Sequence, residues 1–289
     1  MLKIIPLTQQ LNMENGCVML LGGFDGLHVG HKQLVARAKT YNLPIGIMTI
    51  FRGKSEQGLF TFLERERIFL QAGIDFVIEL PFEQIKDLSP EQFIKLLMTE
   101  CNVKAFICGD DFRFGKNAAG NAETIKRAVQ VCIETVNLVQ INGEKASSTV
   151  VKKYLKDGNV QAANDILGEE FFLIGEVIKD RGVGKTIGFP TANILYPTDK
   201  FPLKQGVYET RVCIDGKAYK AITNYGARPT FDENTVRTET YIDGFDGDLY
   251  GQTLQIFFVK FLRENQKFES VEALKKQLQT DIKGVRKND

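Results

Sequence analysis

Two domains of different class are predicted: an α/β domain with a parallel sheet over residues 1–168, then a mainly β domain, an antiparallel sheet or small barrel with a terminal helix, over residues 169–289. Three observations carry this expectation. A chain of 289 residues exceeds the usual single-domain size. Apolar runs alternate with amphipathic stretches through the first half. Past Gly168 the texture changes to short runs rich in β-branched and aromatic residues, several of them separated by Asp-Gly turns.

In the first half, strands are expected at 17–21, 44–51, 76–80, 105–108 and 131–139, with helices at 31–41, 62–72, 90–101 and 122–129. Ser89-Pro90-Glu91-Gln92 places a capping residue, a proline at the first helical position and a glutamine at the third. Strand–helix alternation of this kind gives a parallel sheet covered on both faces, with ligands beyond the carboxyl ends of its strands. Ser147-Ser148-Thr149 opens a helix that ends near Gly158, and a short helix at 160–167 closes the domain. In the second half, strands are expected at 171–178, 206–214, 217–223, 238–242 and 254–262. Ser270 then starts a charged helix whose Val271, Leu274 and Leu278 form a stripe that docks on the barrel.

Composition narrows the function. The balance of 37 basic against 36 acidic residues gives no pull toward nucleic acid or membrane, while a small anionic ligand in a local site remains compatible. No apolar run approaches the ~20 residues of a membrane span. The opening Met1–Pro6 lacks the apolar core and cleavage site of a signal peptide. Five cysteines without framework spacing fit a reducing compartment, so a cytoplasmic location is expected.

The chain has two histidines, His28 and His31, and both lie in Gly22-Gly23-Phe24-Asp25-Gly26-Leu27-His28-Val29-Gly30-His31. This segment joins a strand to a helix. A helix N-terminus presents unpaired N–H groups and partial positive charge, glycines admit phosphates closely, and imidazoles can donate to them. Zinc binding is disfavoured, because two histidines and scattered cysteines do not complete a ligand set. The dinucleotide pattern Gly-x-Gly-x-x-Gly is not satisfied around Gly23.

Three further segments carry chemistry. Gly109-Asp110-Asp111-Phe112-Arg113-Phe114-Gly115 follows a strand, and aromatics beside an arginine suit a planar heterocycle with phosphate. Gly182-Val183-Gly184-Lys185-Thr186 fails the P-loop rule, since Lys179 occupies the first glycine position. In Gly188-Phe189-Pro190-Thr191-Ala192-Asn193, Thr191 and Asn193 alternate with Ala192. In an extended segment their oxygens point to one side, where they can join a Mg²⁺ shell with ATP phosphates and waters.

Gly-x-Phe-Asp-Gly-x-His-x-Gly-His resembles the nucleotidyltransferase superfamily. Gly-Phe-Pro-Thr-Ala-Asn, then Asn224 to Phe231, Glu239, Asp248-Leu249-Tyr250-Gly251 and Phe261-Leu262-Arg263 with Gln266-Lys267-Phe268 resemble the riboflavin kinase domain in motif and order. Together, over nearly all residues, the chain resembles the prokaryotic bifunctional riboflavin kinase/FMN adenylyltransferase (FAD synthetase) family. The resemblance implies a Rossmann-like nucleotidyltransferase domain followed by a flavokinase-type barrel. It implies riboflavin, FMN and ATP as small-molecule substrates, with Mg²⁺ accompanying ATP. It makes His28, His31 and Glu239 catalytic. It gives Gly23, Phe24, Asp25, Gly30, Ser148, Thr149, Lys152, Gly184 and Lys185 to ATP and its phosphates. Asp111, Phe112, Arg113 and Arg263 fall to the flavin, and Thr191 and Asn193 to Mg²⁺. Two alternatives are a chain with one active half and a catalytically silent flavin-binding regulator.

The chain departs from the family pattern at several positions. Arg52-Gly53-Lys54 stands where Pro-His-Pro is usual, and Lys152 replaces an arginine whose fork it lacks. Lys179-Asp180 replaces a usual His-Gly, and Tyr241 replaces a frequent histidine.

Overall fold

The computed structural model describes residues 2–6, 13–49, 57–100, 102–180, 184, 187–227 and 236–287, apart from the side chains of 99 and 100. The chain divides into two compact units, Met1–Ser148 and Thr149–Asp289.

The first unit contains the strands β1 (Lys3–Pro6), β2 (Cys17–Leu21), β3 (Ile45–Thr49), β4 (Phe76–Glu79), β5 (Val103–Gly109) and β6 (Cys132–Val136). They form one parallel sheet in the order β1-β4-β3-β2-β5-β6. All five residues of β2 and of β3 are buried, as expected for central strands covered on both faces. Helices α1 (Val29–Lys39), α2 (Phe62–Ala72), α3 (Phe82–Ile85), α4 (Pro90–Glu100) and α5 (Ala122–Ala128) connect them. A capping box between Thr61 and Glu64 starts α2, and left-handed Gly73 ends it. The α/β class and the five expected strands are present. The expectation lacked β1, which adds to the far edge beside β4, the one-turn helix α3, and a hairpin of β7 (Gln140–Ile141) and β8 (Glu144–Lys145). Asn142 and Gly143, with φ of 52° and 81°, make the hairpin's tight turn.

Helix α6 (Ser148–Asp157) begins at the division, and α7 (Val160–Leu167) follows. The sequence expectation placed the domain boundary after both helices, at Gly168. Asn164 of α7 donates to the Phe258 carbonyl at 2.9 Å and accepts from the Phe171 N–H at 2.8 Å, which fastens this helix to its own unit.

The second unit is an antiparallel sheet of β9 (Phe171–Glu176), β10 (Thr191–Leu195), β11 (Gly206–Ile214), β12 (Lys217–Ala227), β13 (Val236–Ile242) and β14 (Thr253–Arg263). Its order is β10-β13-β12-β11-β14-β9. Just past β9, the Ile178 N–H donates to the Asn193 carbonyl at 2.9 Å, so the two edge strands meet and the sheet curls toward a barrel. Buried Thr210, Thr223 and Thr240 pass a hydroxyl chain across its interior, with oxygens 2.8 and 2.9 Å apart. The terminal helix α8 (Val271–Arg286), capped by Ser270, packs Ile282 and Val285 against Val207 and Ile222, beside Phe189 and Tyr241.

Candidate active sites

The Gly22–His31 turn leaves the carboxyl end of β2 and enters α1, where the fold rule places ligands. His28 is the N-cap: its Nδ1 accepts from the His31 backbone N–H at 3.3 Å. His31 Nδ1 faces the Gly26 carbonyl at 3.2 Å. The two rings stack with centroids 3.6 Å apart, and buried Phe24 lies 4.6 Å from His31. Phe24 holds its backbone at φ 39° and Gly26 at φ 129°. The Thr49 hydroxyl at the end of β3 donates to the Gly23 carbonyl at 3.1 Å, and Asp25 Oδ1 accepts from the Leu59 N–H at 2.9 Å. Thus Asp25 ties the turn to the next loop, and Phe24 fills its underside.

Two cavities open from this turn, both walled by Leu21, Gly22, Gly23 and Phe112. One, of about 230 Å³, is polar: His28, Gly30, His31, Asp111, Lys145 and Ser147 face it. The other, of about 370 Å³, is apolar, with Met48, Phe82, Phe93, Phe112 and Phe114 on its wall and Arg113 at its side. Phe112 and Phe114 stack with centroids 5.5 Å apart, and the Arg113 Nη1 donates to the Phe112 carbonyl at 3.0 Å. Burial, helped by the Lys145 charge and opposed by Asp111, pushes the His28 pKa down to about 4. Burial, and then the neighbouring His28, hold His31 well below the usual histidine range, against the Gly26 bond. Both rings are therefore neutral in the free protein near pH 7.

The structure thus gathers Gly23, His28, Gly30, His31, Asp111, Phe112 and Arg113 around adjoining cavities. Lys145, absent from the sequence reading, pairs with Asp111 and faces the histidine cavity. Its signal was present: Asn142-Gly143 between short flanks marks a two-residue hairpin, which returns Lys145 toward the site. Ser148 and Thr149 open α6, and the Lys152 ammonium lies 5.5 Å over the Phe201 ring. Arg52 and Lys54 lie outside the described residues.

In the second unit, Asn193 of β10 stands opposite Glu239 of β13, which also stands opposite Asn224 of β12. Directly opposed residues of antiparallel strands share a face, so these three form a row. Asn193 Nδ2 donates to Thr191 Oγ1 at 3.4 Å, and a Cβ on Gly184 would come 3.4 Å from that same hydroxyl. The buried Asn193 Oδ1 has no hydrogen-bond partner among the described residues. A lone buried carbonyl oxygen beside a hydroxyl is a donor set suited to a hard cation. Thr191 also walls a cavity of about 370 Å³, with Val177, Phe245, Asp246, Asp248 and Tyr250. Lys185 lies outside the described residues, as do 228–231 of the Asn224–Phe231 motif.

Arg263 is held by the terminal helix. Its Nε and Nη2 donate to Asp281 of α8 at 3.1 and 2.8 Å, and Gln277 donates to the same carboxylate at 2.8 Å. This bidentate pair fixes α8 to the end of β14.

Two separate candidate sites, one on each fold, fit a two-module transferase. The riboflavin kinase family matches residues 167–288, and the FAD synthetase family matches residues 10–150. The bifunctional riboflavin kinase/FMN adenylyltransferase of Pseudomonas fluorescens is 32% identical, covering 94% of this chain and 93% of that protein. The protein of the same name from Escherichia coli K12 is 32% identical, over 93% of this chain and 91% of the relative. A crystal structure of a macrolide-efflux protein from Streptococcus pneumoniae is 29% identical with a TM-score of 0.88, covering 98% of each chain. Among the described residues of the present chain, no helix is long and apolar enough to cross a membrane. The chain belongs to the bifunctional riboflavin kinase/FMN adenylyltransferase family.

Proposed function

We propose that the chain converts riboflavin to FMN and FMN to FAD at two centres, with ATP as donor in both reactions. The observation that carries the reading is the stacked histidine pair at the α1 N-terminus, which lines a polar cavity that shares the Gly22–Gly23 wall with an apolar one. We assign adenylyl transfer to residues 1–168 and riboflavin phosphorylation to residues 169–289.

In the first reaction an FMN phosphate oxygen attacks the ATP α-phosphorus, and pyrophosphate leaves. The aromatic cavity with Arg113 suits the isoalloxazine, and the histidine cavity suits the triphosphate. Gly23 and Gly30 admit the phosphates, while Phe24 and Asp25 hold the turn in shape. Lys145 serves as a phosphate-side group and Asp111 orients it, while the family resemblance assigns Ser148, Thr149 and Lys152 to ATP. Alignment and charge neutralisation are the main needs of transfer at phosphorus, and this set supplies both.

In the second module the riboflavin 5′-hydroxyl attacks the ATP γ-phosphorus, and Glu239 accepts the hydroxyl proton. Thr191 and Asn193 would hold Mg²⁺, and Gly184 and Lys185 are assigned to the ATP phosphates. Held there, Mg²⁺ would neutralise charge on the phosphate chain. Arg263 keeps α8 against the barrel on the flavin side. Substrates of this kind and five unpaired-spacing cysteines fit a cytoplasmic enzyme.

Riboflavin and FMN supplied separately with Mg-ATP, and products resolved by chromatography, test the reading. FMN from the first feed and FAD from the second are expected. Binding of both flavins with neither product would favour a silent flavin-binding protein.

A further inference from the structure

His28 and His31 are not equivalent hydrogen-bonding groups. A carbonyl only accepts, so His31 Nδ1, 3.2 Å from the Gly26 oxygen, carries a proton. His28 Nδ1 accepts from the His31 backbone N–H, so a neutral His28 carries its proton on Nε2. Both Nδ1 atoms are engaged within the turn, so Nε2 is the nitrogen each ring has left for a ligand, and both residues line the cavity. Neutral His28 offers a donor there, and neutral His31 offers a lone pair.

A lone pair facing phosphate oxygens is repulsive, whereas an N–H there is a charge-assisted donor. Stacked imidazoles 3.6 Å apart disfavour two charges, so one ring takes the proton and the other stays neutral. Among the described residues, the charged groups that line the cavity with the pair are Asp111, after β5, and Lys145, on β8, which are paired with each other. Phe24, Leu34 and Val139 add apolar walls. Burial leaves His31 uncharged until a polyanion arrives. Pyrophosphate is more basic as a free product than while esterified in ATP, so its departure calls for a proton near neutral pH.

We propose that His31 is a proton-loading general acid: it takes one proton from solvent at Nε2 when nucleotide binds, and gives it to the departing pyrophosphate. His28 stays neutral and donates through its Nε2–H throughout. This rests on adenylyl transfer occurring in the histidine cavity. The bond from the α-phosphorus to the bridging oxygen breaks as the FMN phosphate oxygen bonds to phosphorus. The Nε2 proton passes to a pyrophosphate oxygen, and His31 returns to its neutral Nδ1–H form. Nothing is oxidised or reduced, and the solvent proton is the only co-reactant.

These are the only histidines of the chain, so ¹⁵N-histidine labelling of the full-length protein reports two imidazoles. His28→Asn assigns them, and Mg²⁺ with α,β-methylene-ATP, which cannot transfer its adenylyl group, is the probe. Free protein near neutral pH is expected to show His28 protonated on Nε2 and His31 on Nδ1. Saturating probe is expected to convert His31 alone to the doubly protonated form. A His31 that stays singly protonated in the complex, or a proton gained by His28 instead, overturns the proposal. If the same sample still makes FAD from FMN, the adenylyltransferase reading stands and only the proton assignment falls. No FAD from that feed removes the reading and the proposal together.

Discussion

The imidazoles of His28 and His31 lie face to face, with centroids 3.6 Å apart and planes 21° from parallel. One helix start produces this. His28 caps α1, and the helical rise brings His31 beneath it, where the Gly26 carbonyl fixes the ring. The glycine turn, the helix dipole and two neutral rings then share one small polar cavity.

Replacing His31 with alanine removes one group that meets developing phosphate charge. FAD formation from FMN is expected to fall by about 10²–10³, with riboflavin phosphorylation unchanged. Initial rates from separate flavin feeds measure both, and equal losses in a folded variant contradict the assignment.

Glu239→Gln keeps shape and removes the proton acceptor. FMN formation is expected to fall by roughly 10²–10⁴, and FAD formation from supplied FMN to stay at the wild-type rate. A fall in FAD formation instead would place Glu239 outside the kinase chemistry.

Gly26→Ala and Gly23→Ala separate fold from ligand contact. A Cβ on Gly26 would stand 2.8 Å from the Phe60 ring at φ +129°, whereas one on Gly23 meets nothing within 4 Å. Gly26→Ala is expected to destabilise the first unit by about 1–3 kcal/mol, read as a lower urea midpoint. Gly23→Ala is expected to keep the midpoint and to slow FAD formation, because its methyl projects where both cavities begin.

Asp281→Ala leaves the Arg263 guanidinium, 17% exposed, without its carboxylate. A loss of about 3 kcal/mol is expected from uncovering a largely buried charge, seen as an earlier urea transition of the barrel and loss of riboflavin kinase activity at lower temperature. Arg263→Met with Asp281→Leu is expected to recover most of the midpoint. A midpoint that does not move in Asp281→Ala contradicts the anchoring role.

The histidines also set an acid limit. His28 falls from its ordinary 6.5 to about 4 in the folded chain, and His31 is lowered too. Between those values the unfolded chain binds more protons, so stability is full above about pH 6.5 and falls as pH drops toward 4. Urea midpoints measured across that window are expected to flatten in His28→Gln relative to wild type. An identical slope in the variant contradicts burial of a neutral His28.

Much of this was legible in the sequence. The runs that became β2, α2 and β11 have the expected bounds, because apolar periodicity and turn residues agree there. The histidine turn and the Thr191–Asn193 alternation were legible as well, since each is a local pattern. What local pattern does not encode is pairing across the fold. Lys145 reaches Asp111 through a two-residue hairpin, Arg263 meets Asp281 through helix docking, and Glu239 meets Asn193 through strand register. The short β1 lacked a strong signal for the same reason: its place is set by β4 beside it.

Trans-complementation probes the account most directly. His31→Ala and Glu239→Ala proteins, each unable to turn riboflavin into FAD, are mixed with riboflavin and Mg-ATP. Two self-sufficient centres predict that the mixture makes FAD, with FMN from the first variant adenylylated by the second. Folded variants whose mixture makes FMN and never FAD would contradict it.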